Sequence, residues 1–436
     1  MWPYSPELLA TPVPRYTSFP TAAEFGPEVG EADLASALRR VSGDISLYLH
    51  IPFCDRICWY CGCNTGAANR RQRLASYLDA LHREIAIVGT GLAGDVRVRR
   101  IAFGGGSPNA VAPTDFVRLV DALTLHMPLA DPDWSIELDP RGLTEDWGDV
   151  LACVGVTRAS MGVQTFAPQL QAAIGRIQPD ELIAGGTALL RRAGVTSLNF
   201  DLMYGLPGQT IADLDAALLR SAALGADRIA LFGYAHVPHL LPRQRRIDAA
   251  ALPGAEQRFA MAAHGYERLT GAGYVPVGFD HFALSGDPLA LAQAAGQVRR
   301  NFQGFTDDPA PVLLGLGASA ISSFADLLAQ NEKNAGRYRM LLSQDRLPTA
   351  LGVRRSSDDR RRGRVIEDLL CRGAARIDPA LARSIEPRLA PFVARGVVQL
   401  AGGRLTLAPQ GRPYARTVAA LFDPYRQDSR HFSSAI

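Results

Sequence analysis

Short apolar and β-branched runs alternate with longer stretches of three-to-four-residue apolar periodicity from residue 45 onward. The first pattern is typical of buried strands and the second of amphipathic helices. The pattern predicts strands at 45–51, 98–103, 135–138, 158–163, 197–203 and 228–234. It predicts helices between them at 73–88, 115–125, 182–193 and 211–224. This alternation predicts β/α units on a mainly parallel sheet.

The regions outside this repeat have different patterns. Residues 1–44 contain many prolines and one short helical segment at 31–41, which predicts an arm packed onto a later domain. The barrel is assigned to 45–250, and a helix-rich extension with substrate-site elements and a polar, irregular segment at 299–306 is assigned to 251–340. Residues 341–436 are predicted to form a small helical domain that ends in a hairpin around Gly402 and Gly403.

Each of the six predicted strands carries, in or just after its carboxyl half, residues that could bind a ligand or take part in chemistry. In chain order these are a cysteine run, Gly104-Gly105-Gly106-Ser107, Glu137 with Asp139, Gln164, Asp201 and Tyr234-Ala235-His236. Because sites in α/β proteins gather at the carboxyl ends of parallel strands, these residues predict one shared site.

Composition narrows the class of protein. The chain has 436 residues, of which 47% are apolar and 20% charged, values that exclude a disordered or fibrous protein. A net charge of +3 gives no electrostatic reason to expect nucleic-acid or membrane partners. Without an apolar run of the roughly 20 residues that span a bilayer, or a basic and then apolar start, we expect a cytoplasmic protein.

Four of the six cysteines lie in one ten-residue segment with the spacing C-x3-C-x2-C-x-C. Such crowding in a long cytosolic chain favours a metal or redox site over disulfides. Thiolates suit zinc or an iron–sulfur cluster, but a zinc knuckle normally needs a second ligand pair, and Cys153 and Cys371 are isolated. Three thiolates on a four-iron cluster would leave one iron open to a small molecule.

The C-x3-C-x2-C segment follows the first strand, and Tyr60 precedes its third cysteine. Together with the glycine-rich segment after the second strand, this resembles the radical S-adenosylmethionine (SAM) enzymes. The resemblance implies a partial (β/α)6 barrel whose single [4Fe-4S] cluster binds SAM at the open iron. The reduced cluster then cleaves SAM to methionine and a 5′-deoxyadenosyl radical.

A closer resemblance covers nearly the whole chain and is to the oxygen-independent coproporphyrinogen III oxidase (dehydrogenase) family. The segments that carry it are 15–20, 48–54, 135–141, 160–164, 199–207, 234–236, 280–283 and 300–306. Paralogues that bind or degrade haem share the first three cysteines and the barrel, whereas Cys63 and the segment 300–304 favour the decarboxylase.

The resemblance implies a role for individual residues. The implied cluster ligands are Cys54, Cys58 and Cys61. The implied SAM contacts are Tyr48, Gly105, Glu137, Gln164, Arg176 and Asp201. The resemblance also implies a second SAM beside the first, and the positions around this pair are Tyr60, Gly62, Gly106, Ala235, Ile321 and Ser107, the last standing where related sequences have threonine. Catalytic roles are expected for Cys63, which we do not expect to be a cluster ligand, for Tyr48 and for Glu137.

The implied reaction is the oxidative decarboxylation of two propionates of coproporphyrinogen III to vinyl groups, giving protoporphyrinogen IX. It requires a reducing electron donor such as a flavodoxin or ferredoxin, and we expect a monomer. The alternatives are a haem-degrading radical enzyme and a haem-binding chaperone. Taken singly, Asp201 could cap a turn, Glu137 could pair with an arginine, His50 could be a core residue and Arg176 a solvated helix charge.

Overall fold

The computed structural model describes residues 2–68 and 71–426. Its strands, in chain order, are β1 (Asp44–Ile51), β2 (Phe53–Cys54), β3 (Gly66–Ala67), β4 (Arg97–Gly105), β5 (Leu129–Leu138), β6 (Val156–Gln164), β7 (Ser197–Tyr204), β8 (Arg228–Gly233), β9 (Tyr274–Val277), β10 (His281–Leu284), β11 (Arg299–Asn301), β12 (Gly304–Thr306), β13 (Val312–Leu316), β14 (Ile321–Ser323), β15 (Leu327–Asn331), β16 (Thr349–Arg354), β17 (Ala374–Arg376), β18 (Val398–Ala401) and β19 (Arg404–Leu407).

The α-helices lie mainly between the parallel strands and in the C-terminal region. They are α1 (Pro6–Leu9), α2 (Glu31–Arg40), α3 (Arg71–Gly91), α4 (Pro113–His126), α5 (Glu145–Val154), α6 (Pro168–Ala173), α7 (Asp180–Arg192), α8 (Ile211–Ala223), α9 (Ala255–Gly271), α10 (Pro288–Ala294), α11 (Ala335–Leu342), α12 (Ser357–Arg372), α13 (Pro379–Ala394) and α14 (Ala415–Ala419).

One twelve-stranded sheet organises the molecule, in the order β16-β15-β14-β13-β1-β4-β5-β6-β7-β8-β10-β9. Strands β1, β4, β5, β6, β7 and β8 are parallel neighbours, and β13 adds a seventh parallel strand on the other side of β1. The remaining strands extend both edges in antiparallel pairing. Within the described residues no pairing joins β16 to β9, so the barrel is open on one side.

The predicted barrel elements are confirmed, with small differences at their ends. All six predicted strands and four helices are present, but β5 begins at Leu129, six residues earlier than predicted. Helices α5 and α6 were not predicted. The Oγ1 of Thr144 accepts a hydrogen bond from Trp147 N at the start of α5, a short capping signal that the periodicity search did not use.

The helix-rich pattern expected after residue 250 does not extend through residues 274–331. Residues 274–331 contain seven strands, and the irregular segment 299–306 is the β11–β12 hairpin. The division at 341 also falls inside α11, and β16 after it still belongs to the main sheet. Short apolar runs broken by glycine, such as Val312–Leu316, do not distinguish a strand from a buried helix.

The amino end of the barrel is closed by an ion-pair network. The loop after β12 carries Asp307, whose carboxylate accepts two hydrogen bonds from Arg100 (2.8 and 2.9 Å) and two from Arg158 (2.8 and 2.9 Å). These arginines lie on β4 and β6, so the loop is fixed across the inside of the sheet. The two guanidinium groups hold the pKa of Asp307 far below its usual range even though burial opposes this.

The N-terminal arm is hydrogen-bonded to the C-terminal region. Ser5 N donates to Tyr414 Oη (2.9 Å), and Tyr16 Oη donates to Asp423 Oδ2 (3.0 Å). The predicted hairpin at Gly402 and Gly403 joins β18 to β19. Residues 427–436 of the predicted C-terminal domain lie outside the described residues.

Candidate active site

The cysteine segment begins immediately after β1, at the carboxyl end of the parallel sheet. All six cysteines are free thiols, so the four clustered ones are available as ligands. Cys58 Sγ accepts hydrogen bonds from Arg176 Nη1 (3.3 Å) and Arg141 Nη2 (3.4 Å). Two guanidinium groups therefore hold the Cys58 sulfur in position beside the end of the sheet.

The other cysteines of the segment have distinct surroundings. Burial raises the pKa of the Cys54 thiol to about 11, although Thr65 Oγ1 lies 3.2 Å from its sulfur. Cys63 N donates to Cys61 Sγ (3.4 Å), and the Cys63 side chain also hydrogen-bonds to Cys61, which lowers the pKa of the Cys61 thiol. Cys63 therefore contacts a predicted ligand directly.

No three His, Cys, Asp or Glu side chains in the described part of the chain are arranged to hold a metal ion. A four-iron cluster distributes its thiolates over separate iron atoms and does not require three ligands around one ion. The free thiols of Cys54, Cys58 and Cys61 are the kind of donor that a four-iron cluster takes.

Glycines at the end of β4 allow the neighbouring segments to approach closely. Gly105 has φ +112°, and a Cβ there would lie 2.6 Å from the His50 ring. A Cβ at Gly106 would lie 2.4 Å from Phe53 O, beside the cysteine segment. Side chains at these positions would push the glycine-rich turn away from the cysteine segment.

Glu137 is fixed at the centre of the strand ends. Its Oε2 accepts a hydrogen bond from Gly105 N (3.0 Å), so it does not form the arginine pair considered from the sequence. Burial, reinforced by the charge of Asp201, raises the pKa of Glu137 to about 7. Burial also raises the pKa of Tyr48, and the neighbouring Glu137 and Cys63 side chains add to this shift.

The histidine between these residues is held neutral. His50 Nδ1 lies 3.2 Å from Tyr48 Oη, and its Nε2 lies 3.4 Å from Asn64 O. Burial lowers the pKa of His50 to about 4. His50 thus packs between Tyr48 and Gly105, although the family resemblance gave it no role.

Asp201 lines the interior of the barrel rather than capping a turn. Its carboxylate accepts hydrogen bonds from Asn199 Nδ2 (2.8 Å) and Ser160 Oγ (3.1 Å). Glu137 and Asp201 border the same interior cavity of about 350 Å³, which also reaches Gln303 of the β11–β12 hairpin. This volume is in the range of small-molecule sites.

Gln164 and Arg176 lie on the cluster side of the site. Arg176 is 6% exposed, so it is not a solvated helix charge. Its Nη2 donates to Gly162 O (2.6 Å) and its Nη1 contacts Asp139 Oδ2 (3.3 Å) as well as Cys58. Gln164 has a left-handed backbone, φ +66°, a costly conformation that is concentrated at functional sites.

Gln244 is a site residue that the sequence analysis missed. Its Nε2 donates to Tyr60 O and to Ala235 O, both at 3.0 Å, and its side chain is buried. It thereby joins the cysteine segment to the end of β8. Gly62 lies nearby, with an ordinary 3.5 Å approach of its Cβ position to Leu241.

Ser107 and Ile321 have neighbours that differ from those of the site residues described above. Ser107 Oγ donates to Asn109 Oδ1 (2.7 Å), and Ser107 lines a cavity of about 390 Å³ that also reaches Asp55 and Arg141. Ile321 lies on β14, where its backbone packs against Gly315, the residue in register with Tyr48. The structure brings the other predicted residues together at the strand ends.

Comparisons with known proteins agree with this geometry. The sequence matches the radical SAM superfamily over residues 48–220. The oxygen-independent coproporphyrinogen III oxidase of Bradyrhizobium diazoefficiens is 41% identical over 434 residues, which covers 97% of this chain and 96% of that protein. The chain belongs to the oxygen-independent coproporphyrinogen III oxidase family.

The structure supports membership in the oxygen-independent coproporphyrinogen III oxidase family. The coproporphyrinogen III oxidase of Escherichia coli, described as a radical SAM enzyme, superposes with a TM-score of 0.91 at 35% identity, covering 97% of this chain and 99% of that one. This confirms the partial radical SAM barrel with a mostly helical C-terminal region. Membership implies a [4Fe-4S] cluster and SAM. No helix in the described residues has the length and apolar character needed to cross a membrane.

Proposed function

We propose that this protein converts coproporphyrinogen III to protoporphyrinogen IX without oxygen. In this reaction each of two propionates would give a hydrogen atom to a 5′-deoxyadenosyl radical, release carbon dioxide and pass one electron to an external acceptor, and so become a vinyl group. The observation that carries the proposal is the match to the coproporphyrinogen III oxidases over nearly the full chain, including the arm and the C-terminal region. A match limited to the barrel would support only radical SAM chemistry.

We assign Cys54, Cys58 and Cys61 as ligands of a single [4Fe-4S] cluster. Their support is the free thiol state and the two arginine donors at Cys58. When bound, the reduced cluster and SAM supply a 5′-deoxyadenosyl radical. The cysteine segment follows β1 at the carboxyl ends of the parallel strands.

The protein's own residues bind and orient the cofactor in this proposal. Glu137 and Asp201 offer carboxyl oxygens inside the barrel, and the raised pKa of Glu137 allows it to hold a proton at its carboxyl group near neutral pH. Gly105 N–H fixes one oxygen of Glu137, and Arg176 positions Cys58. Tyr48, Gln164 and Arg176 complete the proposed contacts to SAM.

A second SAM molecule is proposed beside the first. Its support is the pair of hydrogen bonds by which Gln244 joins Tyr60 to Ala235. In the family pattern Gly62, Gly106 and Ile321 belong to the same group of positions. Ser107, whose Oγ donates to Asn109 Oδ1, is proposed to belong to the same group of positions. Cys63 is proposed to act in turnover rather than as a cluster ligand, since it directs its N–H to Cys61.

We further propose a cytoplasmic monomer that receives electrons from a flavodoxin or ferredoxin and has no nucleic-acid or membrane partner. Its free cysteines agree with a reducing compartment. The proposed regions are the arm (1–44), the barrel (45–250), its extension (251–340) and the C-terminal domain (341–436). The curated relatives named as oxidases favour this enzyme over a haem-binding chaperone or a haem-degrading paralogue.

The test is anaerobic incubation of the iron-reconstituted protein with coproporphyrinogen III, SAM and a chemical reductant, followed by chromatography of the oxidised porphyrins. We expect protoporphyrin IX, together with 5′-deoxyadenosine and carbon dioxide. Variants with Cys54, Cys58 or Cys61 replaced by alanine should lose iron and activity, whereas Cys153→Ala, in an exposed cysteine far along the chain, should retain both.

The contrary outcomes are specific. Iron-loaded protein that consumes haem and leaves coproporphyrinogen unchanged would favour the haem-degrading paralogue. Binding of haem with no cleavage of SAM would favour the chaperone.

A further inference from the structure

A cavity of about 60 Å³ lies where the N-terminal arm, the carboxyl ends of β7 and β8 and the C-terminal helices meet. Tyr204 and Gly233, the last residues of the two strands, form part of its wall. Three arginines from distant parts of the chain also line it: Arg15 of the arm, Arg258 of α9 and Arg416 of α14. The fold therefore gathers positive charge beside the strand ends that carry the proposed chemistry.

Among the described residues that line the cavity, one carboxylate accompanies Arg15 and Arg258. Asp280 is the carboxylate among its described lining residues, and Asp280 Oδ1 lies 2.6 Å from His281 Nδ1. Arg258 Nη2 donates to Tyr234 O (2.7 Å), but Arg258 Nε is buried and has no hydrogen-bond partner among the described residues. Burial lowers the pKa of Arg258. A buried guanidinium in this position would be stabilised by an anion.

The arm holds its arginine in a fixed position. Arg15 Nη2 donates to Gly233 O (3.3 Å), and its guanidinium lies 5.2 Å from the centre of the Phe232 ring. The backbone carbonyl of Arg15 accepts hydrogen bonds from Arg300 Nε (3.1 Å) and Nη2 (3.0 Å). Arg300 in turn packs against the Phe305 ring at 4.4 Å. The cation is thus preorganised before any ligand arrives.

We propose that this cavity binds one carboxylate of the tetrapyrrole substrate, supplied by a propionate that is not decarboxylated in that turnover. The inference rests on the proposed function and adds a binding subsite to it. The volume of about 60 Å³ holds a carboxylate group but not a macrocycle. Paired guanidinium groups suit carboxylate geometry. Because such pairing stabilises a carboxylate, it would oppose the loss of carbon dioxide and instead hold the ring in place.

The first test is a fluorescence titration of the reconstituted protein with coproporphyrin III, the oxidised tetracarboxylate. Arg258→Met and Arg15→Gln should each raise Kd by about 10- to 100-fold, the effect of a lost charged hydrogen bond. The Kd of Arg258→Lys should lie between the values of these variants and the wild type. Lysine keeps the positive charge but lacks the paired N–H donors of the guanidinium. The control, Arg220→Met, removes an arginine that pairs with Asp180 on the outer helices and should leave Kd unchanged.

A neutral probe separates recognition of the carboxylate from an effect on folding. The titration is repeated with the tetramethyl ester of coproporphyrin III, with acid and ester both dissolved in one detergent. The wild type and Arg258→Met should bind this ester with equal Kd. In turnover assays KM for coproporphyrinogen III should rise in Arg258→Met far more than kcat falls, and substrate-independent cleavage of SAM should continue. If Arg258→Met does not fold, Arg15→Gln in the arm decides the outcome.

The subsite and the proposed function fail in different ways. Wild-type turnover combined with unchanged Kd and KM in folded Arg258→Met and Arg15→Gln overturns the subsite alone. An equal loss of affinity for the acid and the ester also overturns it. A wild type that binds coproporphyrin III through Arg258 but forms no protoporphyrinogen overturns the proposed function alone.

Discussion

Replacing Glu84 with glutamine should flatten the pH dependence of thermal stability. The Glu84 side chain, on the inner face of α3, is buried and accepts hydrogen bonds from Gly317 N (2.6 Å), Asn331 Nδ2 (2.6 Å) and Tyr338 Oη (2.5 Å). Tyr77 and Tyr338 are the titratable groups that face it, and burial raises both of their pKa values. Burial raises the pKa of Glu84 to about 7.

The size of the effect follows from this pKa. A shift from 4.5 to about 7 corresponds to roughly 3 kcal/mol, at about 1.4 kcal/mol per unit. Because the pKa is higher in the folded protein, this stability is fully present below pH 4.5 and is lost as the pH rises through 7. With about 2.1 cal/mol/K per residue over 436 residues, the unfolding entropy is about 0.9 kcal/mol/K, so Tm falls by about 3 to 4 °C.

The assay is thermal unfolding under anaerobic conditions, followed by circular dichroism from pH 5 to pH 8. Wild-type Tm should fall by about 3 °C more than that of Glu84→Gln over this range. Glu145→Gln is the matched control, because the Glu145 side chain is 78% exposed. The Tm of this variant should have the same pH dependence as that of the wild type. A Glu84→Gln protein whose Tm has the same pH dependence as the wild type would refute the assignment.

Three further predictions concern the site itself. Cys63→Ser should retain the iron content of the wild type and lose most turnover; complete loss of iron, measured by colorimetric assay, would make Cys63 a ligand. Deletion of residues 1–30 should preserve SAM cleavage and suppress decarboxylation, and an arm-deleted protein that forms product at the full rate would contradict the role of the arm. Gly106→Ala should lower Tm and SAM cleavage because its Cβ would lie 2.4 Å from Phe53 O, with a cost of about 1 to 3 kcal/mol. Gly94→Ala, into open space, should change neither, and equal behaviour of the two variants would count against the tight turn.

The sequence predicts the barrel well because its strands and helices repeat a simple pattern. Strands such as β1 and β7 are apolar runs that end beside polar residues, and the helices between them have clear periodicity. The seventh parallel strand, β13, was missed because it pairs with β1 across more than 250 residues of sequence. Nothing in a short local run specifies such a distant partner.

The missed polar residues show a second limit. Gln244 lies in the polar segment Pro242–Arg246, and its role depends on two backbone carbonyls that have no sequence signal. Glu84 did leave a signal, because it occupies the buried face of α3 with Tyr77, Leu81 and Val88. A charged residue in an apolar helical stripe predicts a buried polar contact, but the sequence does not identify the partner.

The hydrogen bonds that join the arm to the C-terminal region also determine the order in which the protein can be completed during synthesis. Ser5 and Tyr16 bind Tyr414 and Asp423, partners that lie about 400 residues later in the chain. At about 5 to 20 residues per second, a ribosome needs roughly 20 to 80 s to produce them. During that interval the strands β1 to β8 are already available to pair, while Ser5 and Tyr16 still lack these two partners. A message truncated before the codon for residue 414 would therefore yield a protein that lacks both of these hydrogen bonds.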